Sequence, residues 1–193
     1  MQDAAPIAYA HRPKPFGYEV SYRLDPDALF VDTGRKQERI PYRSIVLARL
    51  AYAPTNFTTK GYRLTLLLAD RRTLKIANLS WKTYFEFDRQ DGGYAAFVRA
   101  LLARAAAANP RLACRTGTPP VLWGLAAAAG ALVVAGLIAM GLAATQRGGL
   151  TVALLVILFV APLGWQVHAM VTRNWPGSFD PGAPPQRVMP APG

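Results

Sequence analysis

The segment Tyr18-Glu19-Val20-Ser21-Tyr22-Arg23-Leu24 alternates apolar and polar residues at every step, the period-2 pattern of a strand with one buried and one wet face. Asp25-Pro26-Asp27 predicts a turn, because proline presets a turn dihedral and aspartate side chains bond to nearby backbone. Ala28 to Thr33 resumes as a second strand ending at Gly34. Arg35 to Pro41, Ile45 to Ala53, Gly61 to Ala69, Arg72 to Asn78 and Tyr84 to Asp88 read as further short strands, with a tight turn at Ala69-Asp70-Arg71. Regular spacing of about seven short strands predicts a mainly β domain, a small antiparallel sandwich or barrel.

From Asp91 the period changes. Tyr94, Phe97, Val98, Leu101 and Leu102 recur at three and four, the buried stripe of a helix, with Arg99 and Arg104 off it. Asp91 is placed to cap the first turn, and Asn109-Pro110 ends the helix, since a residue before proline is pushed out of the α region. Beyond it lie two stretches, 116–146 and 148–172, that hold no Asp, Glu, Lys or Arg and are separated by Arg147. Each exceeds the roughly 20 apolar residues that cross a hydrocarbon core, which predicts a two-helix transmembrane hairpin with spans at 121–144 and 150–172 and a turn at 145–149. The first span repeats a small residue at every fourth position, Ala127, Ala131, Ala135, Ala139 and Ala143, with Gly124 and Ala128 beside them. Such a row lets two helix backbones approach, and it is expected to pack on the bulkier second span; the alternative is a homodimer through the same face. Pro162 is expected to kink the second span.

Composition locates the charge. The 193 residues carry 22 Lys/Arg against 11 Asp/Glu, and 19 of those cations and 10 of the acids precede residue 119. The expected divisions are an N-terminal extension at 1–16, the β domain with its C-terminal helix at 17–109, a linker at 110–120, the hairpin, and a loose proline-rich tail at 173–193 that contains a PxxP spacing. Met1 to Pro15 lacks the apolar core of a secretory signal, and Arg111, Arg115 and Arg173 flank the spans. These features predict a multi-pass membrane protein with both termini cytoplasmic, and Trp123, Trp165 and Trp175 fall near that same interface.

The hairpin Tyr18 to Thr33, the element Glu38-Arg39-Ile40-Pro41-Tyr42-Arg43-Ser44-Ile45, and the closing helix with Phe97 and Leu101 facing inward together resemble a bacterial pleckstrin-homology-like (PH-like) domain over roughly Gly17 to Asn109. The resemblance implies two nearly orthogonal sheets plugged at one end by the terminal helix. Bacterial membrane proteins with such a domain beside two spans look similar, and most such families have no assigned activity. Phosphoinositide-binding relatives carry basic residues around the first hairpin turn; the turn here is Asp25-Pro26-Asp27, so inositol phosphates are expected to gain no advantage over other anionic headgroups.

No HExxH, CxxC, GxSxG, GxGxxG or Walker spacing occurs, so no catalytic residue, cofactor or metal ligand is expected. His168 lies close to Arg173 and reads as interfacial, the lone Cys114 as a small inert residue, and Asp91-Gly92-Gly93 as a plain helix start. Tyr18, Tyr22, Phe30, Tyr84, Phe85 and Phe87 sit in strands and read as core, so no nucleic-acid partner is expected. Arg35, Lys36, Arg39, Arg71, Arg72 and Lys75 fall at strand ends and turns, where a folded sheet gathers them into a basic surface for an anionic lipid headgroup or a membrane-protein partner. The functional expectation is a membrane-tethered, non-catalytic binding or scaffold module. The alternative is an accessory or regulatory subunit of a membrane transporter or envelope enzyme complex.

Overall fold

The alternation that begins near Tyr18 builds the first sheet. In the computed structural model, which describes residues 7–55, 59–84 and 86–191, β1 (Ala8–His11), β2 (Val20–Leu24), β3 (Ala28–Asp32) and β4 (Gln37–Pro41) pair antiparallel in that order. Tyr22, Leu24, Leu29, Val31 and Ile40 fill the inner face, and Arg23 and Arg39 stand outside, as the pleat requires. A second sheet follows from β5 (Ile45–Tyr52), β6 (Tyr62–Leu68) and β7 (Thr73–Ala77), while β8 (Leu79–Trp81) and β9 (Phe87–Arg89) form a separate pair. The helix α1 (Asp91–Ala108) buries Tyr94, Phe97, Val98, Leu101 and Leu102, the stripe that its period marks. Phe97 lies 5.6 Å from the Tyr9 ring and 6.0 Å from the Tyr22 ring, which packs α1 on the inner face of the first sheet.

Strand β7 is the edge of its sheet, and the first sheet supplies donors to it. The Tyr9 hydroxyl donates to the Ala77 carbonyl at 2.5 Å, and the Tyr22 hydroxyl to the Lys75 carbonyl at 3.4 Å. Carbonyls that an edge strand leaves unpaired are thereby satisfied from the other sheet. Among the described residues the strands form three sheets and do not close into a barrel.

Three boundaries differ from the sequence expectation. Residues 8–11 are a strand rather than an extension, with Tyr9 and His11 turned into the core. The expected linker contains β10 (Ala113–Thr116), which runs parallel to β5 with Ala113 opposite Leu47 and Thr116 opposite Leu50. The proline-rich tail is not loose: β11 (Gly177–Ser178) pairs antiparallel with β10, and Val188 and Met189 are buried in the core at 0% and 2% exposure. These pieces escape a periodicity reading because strands of two to four residues hold too few alternations to register. Asp91 also departs from its expected role, since Gln90 is the N-cap residue and the Asp91 carboxylate instead accepts a 2.6 Å hydrogen bond from the Asn78 amide.

The chain divides into two units, Met1–Thr116 with Gly177–Gly193, and Gly117–Pro176. Within the second, helical structure is continuous as α2 (Pro120–Arg173), and two stretches of it, Pro120–Gln146 and Leu154–Arg173, are long and apolar enough to cross a membrane. In a straight helix Gly130 and Val167 would lie roughly 55 Å apart. A Cβ placed on Gly130 would instead come within 2.7 Å of Val167 Cγ1, and one on Gly141 would collide with Val156. The helix therefore doubles back between Gly141 and Val156 and forms an antiparallel hairpin.

Because Thr116 and Gly177 are register partners, the hairpin is an insertion between two paired strands. Joining Thr116 to Gly177 through a two-residue Asn-Gly turn, in place of 117–176, is expected to give a soluble β domain that melts cooperatively, because Asn-Gly closes antiparallel strands. The shorter fragment 17–109 lacks β1, β10, β11, Val188 and Met189 and is expected to show no cooperative melt. Met189→Ala in the intact protein is expected to lose about 2–5 kcal/mol of urea stability; an unchanged midpoint would mean that the tail is not part of the core.

Candidate functional site

The hairpin seam is built by residues spaced alternately at three and four. Ala127, Gly130, Val134, Leu137, Gly141 and Ala144 are among the less exposed positions of the first span, and Val156, Val160, Leu163 and Val167 among those of the second. This 3.5-residue repeat is that of left-handed helix pairs. Among the residues expected to pack, Gly124 and Ala127 are half-buried, whereas Ala128, Ala131, Ala135 and Ala139 are exposed. A strict i, i+4 row turns by roughly 40° per step around the helix axis, so it winds off any straight seam. The glycines at 130 and 141 provide the close approach instead.

At the open end of the hairpin the two arms are tied together. Thr118 N donates to the Asn174 carbonyl at 3.2 Å, Trp123 Nε1 donates to the Val171 carbonyl at 2.9 Å, and the Trp123 and Trp175 rings meet edge to face at 4.7 Å. Gly117 has φ +67° with the Asn174 carbonyl against its Cα, so a side chain there would be strained and would collide with backbone. Trp165 and His168 are exposed on the second span.

In the β domain three of the six expected basic residues, Lys36, Arg39 and Arg72, are paired with neighbouring carboxylates. Arg72 binds Glu38 at 2.6 Å and Asp70 at 2.5 Å, Lys36 binds Glu38 at 3.4 Å, and Arg39 binds Asp27 at 2.5 Å. The Arg35 guanidinium lies over the Tyr18 ring at 4.8 Å. Arg71 occupies the left-handed region at φ +68° in the β6–β7 turn. Hydrogen bonding from Arg72 and then Lys36 holds the Glu38 carboxyl below its usual range, and that from Arg72 does the same for Asp70. Of the six residues, Arg39 and Arg72 line a concavity that also holds Glu38 and Asp70, and Lys75 lines a second one.

That site lies between β1 and the β6–β8 edge and encloses about 280 Å³. Its charged lining is Lys14, Arg63 and Lys75, and its apolar lining includes Leu79 and Trp81. The register explains the convergence of two of the cations. Arg63 pairs with Ala77, and Lys75 is two residues from Ala77 on the same strand, so both project from the same face of the sheet. None of the three cations has an ion-pair partner among the described residues, and the lining contains no carboxylate. Backbone contacts bring β1 to this edge: Arg12 N donates to Ser80 Oγ, and Trp81 N donates to the Arg12 carbonyl, both at 3.0 Å.

His11 forms part of the lining although it is only 1% exposed. Its ring stacks on Tyr9 at 5.8 Å and Tyr22 at 5.6 Å, and its Nδ1 has no hydrogen-bond partner among the described residues. Burial pushes its pKa down to about 4, so the imidazole is neutral at physiological pH. Periodicity could not single out His11 or Arg63, since neither belongs to a motif and the pocket joins segments more than 50 residues apart in the chain.

The other candidates stand apart from this site. Cys114 is buried, and burial, with Asp180 adding to it, pushes its thiol pKa up, away from the reactive thiolate. Tyr22 is core, Arg23 lies over the Phe30 ring, Phe87 packs edge-on to Trp81, and Tyr84 and Phe16 form an exposed pair at 4.3 Å; Phe85 lies outside the described residues. Among the described residues no three His, Cys, Asp or Glu side chains gather with metal-binding geometry. No protein-family model, curated protein or solved structure matches the chain.

The buried imidazole makes stability depend on pH. Because its folded pKa lies below the ordinary 6.5, its neutral form contributes fully above pH 6.5, and that contribution is lost as pH falls toward 4. At 1.36 kcal/mol per unit the loss is about 3 kcal/mol. Urea unfolding of the intact protein in neutral detergent at pH 7, 6, 5 and 4 checks this. His11→Phe, which keeps a ring in the stack, is expected to flatten the slope above pH 4.5, and an unchanged slope would remove His11 as its source.

Proposed function

We propose that this chain is a membrane-tethered, non-catalytic binding module, with the hairpin holding a PH-like β domain at the cytoplasmic face of a bacterial inner membrane. The observation that carries the reading is the insertion of the apolar hairpin between β10 and β11. Paired strands at its two ends keep both ends on one side of any bilayer that it crosses. Arg111, Arg115 and Arg173 flank the spans, which favours the cytoplasm as that side. Confinement to a thin layer raises the effective concentration of the domain for anything else held there, a protein or an anionic lipid headgroup.

A second reading, an accessory subunit or a homodimer joined within the membrane, has one observation in its favour. Ala128, Ala131, Ala135 and Ala139 face away from the hairpin seam and are open to another helix. Replacing residues 120–173 by an unrelated hairpin separates the two. A binding module keeps its crosslinked partners after the exchange, and an accessory subunit or dimer loses them.

Orientation is tested by single cysteines in a Cys114→Ser background, labelled in intact spheroplasts with an impermeant maleimide. Gly148→Cys is expected to label from outside, while Lys82→Cys and Ser178→Cys label only after permeabilisation. External labelling at Lys82→Cys would reverse the orientation. Unequal sidedness of Lys82→Cys and Ser178→Cys would overturn the two-span topology.

A further inference from the structure

We infer that the concavity between β1 and the β6–β8 edge is a binding site for a phosphate monoester carried on an apolar or planar group. The inference rests on the binding-module reading and names the ligand class of that module.

Charge selects the anion. Several other cations of this domain are held by carboxylates, as in the Lys36–Glu38–Arg72–Asp70 chain and the Arg39–Asp27 pair. Lys14, Arg63 and Lys75 line one cavity with no acid among the described residues of its lining. Side by side on one sheet face, Arg63 and Lys75 repel each other, and a bound anion relieves that repulsion. A phosphate monoester carries close to two negative charges at neutral pH and three acceptor oxygens, which suits three converging donors better than a carboxylate does.

The remaining lining selects what the phosphate is attached to. Trp81 and Leu79 supply an apolar and aromatic wall, and Ala77 adds little bulk between Arg63 and Lys75. The His11 ring, 1% exposed, closes the inner side of the cavity. A cavity of about 280 Å³ takes a phosphate together with a small ring or the first part of an acyl glycerol. The shared chemistry has two sources, a soluble organic phosphate and a lipid with a terminal phosphate.

The test uses the intact protein in neutral detergent. Thermal stability and Trp fluorescence are followed during titration with 1-naphthyl phosphate as the soluble probe. Dioleoyl phosphatidic acid in mixed micelles is the lipid probe, with phosphatidylcholine and 1-naphthol as phosphate-free controls. Saturable binding of either phosphate and none of the controls is expected, and the better-bound probe identifies the source. Arg63→Gln with Lys75→Gln is expected to weaken binding about tenfold for each cation removed. Arg35→Gln with Lys36→Gln makes the same change in net charge elsewhere and is expected to leave affinity unchanged. No saturable binding of either phosphate, or equal losses in the two double variants, overturns the site. A phosphorus NMR spectrum of the probe after incubation separates this inference from the reading beneath it. Release of inorganic phosphate that stops in Arg63→Gln with Lys75→Gln would support the site and overturn the non-catalytic function.

Discussion

The rest of this structure depends on a short backbone pairing, Arg115 with Ser178 and Thr116 with Gly177, that brings the chain back to the point from which it left. Closing so long a loop costs conformational entropy that two residue pairs do not repay unaided. The return is made up by the pieces on either side. The spans pack through Gly130 and Gly141, the Trp123 indole donates across the open end, and Val188 and Met189 are buried beyond β11. Lateral pairing of β10 with β5 then joins the exit strand to the middle of the larger sheet.

A shortage of carboxylates shapes the surface of the domain. Eleven acids serve 22 cations over the whole chain, and the acids cluster in a few chains of alternating charge around Asp25, Glu38 and Asp88. Exposed pairs of this kind add little stability each. Their arrangement fixes which cations remain available to something else, and it leaves Lys14, Arg63 and Lys75 together. At the two most basic turns Lys36 and Arg72 are answered by Glu38 and Asp70, whereas Arg35 lies over the Tyr18 ring.

Legibility in the sequence followed element length. The strands β2 to β7 and the helix α1 appeared because each presents enough residues for a period to declare itself, and the spans appeared because hydropathy needs no period at all. Tyr9, Thr116 and Met189 carry no such signal, because their segments are too short to show a period and are held by distant partners. The six basic residues were adjacent in sequence or at neighbouring turns, yet Lys36, Arg39 and Arg72 meet acids that only folding brings near. Lys75 stands in sequence among the turn cations, whereas its neighbours in the concavity, Arg63 and Lys14, come from another strand and from the segment after β1.

The position of Val188 and Met189 after the hairpin also fixes an order of events during synthesis. Strands β1 to β10 and α1 leave the ribosome before the spans do, but the last pieces of their core emerge only after both spans. At about 5–20 residues per second the delay is on the order of ten seconds from the end of α1. Until β10 has emerged β5 presents an open strand edge, and until the tail arrives the core lacks two of its buried side chains. Completion of the domain is thereby coupled to production of its anchor, and a chain that stalls before or within the membrane segment presents an unfinished core to chaperones and proteases.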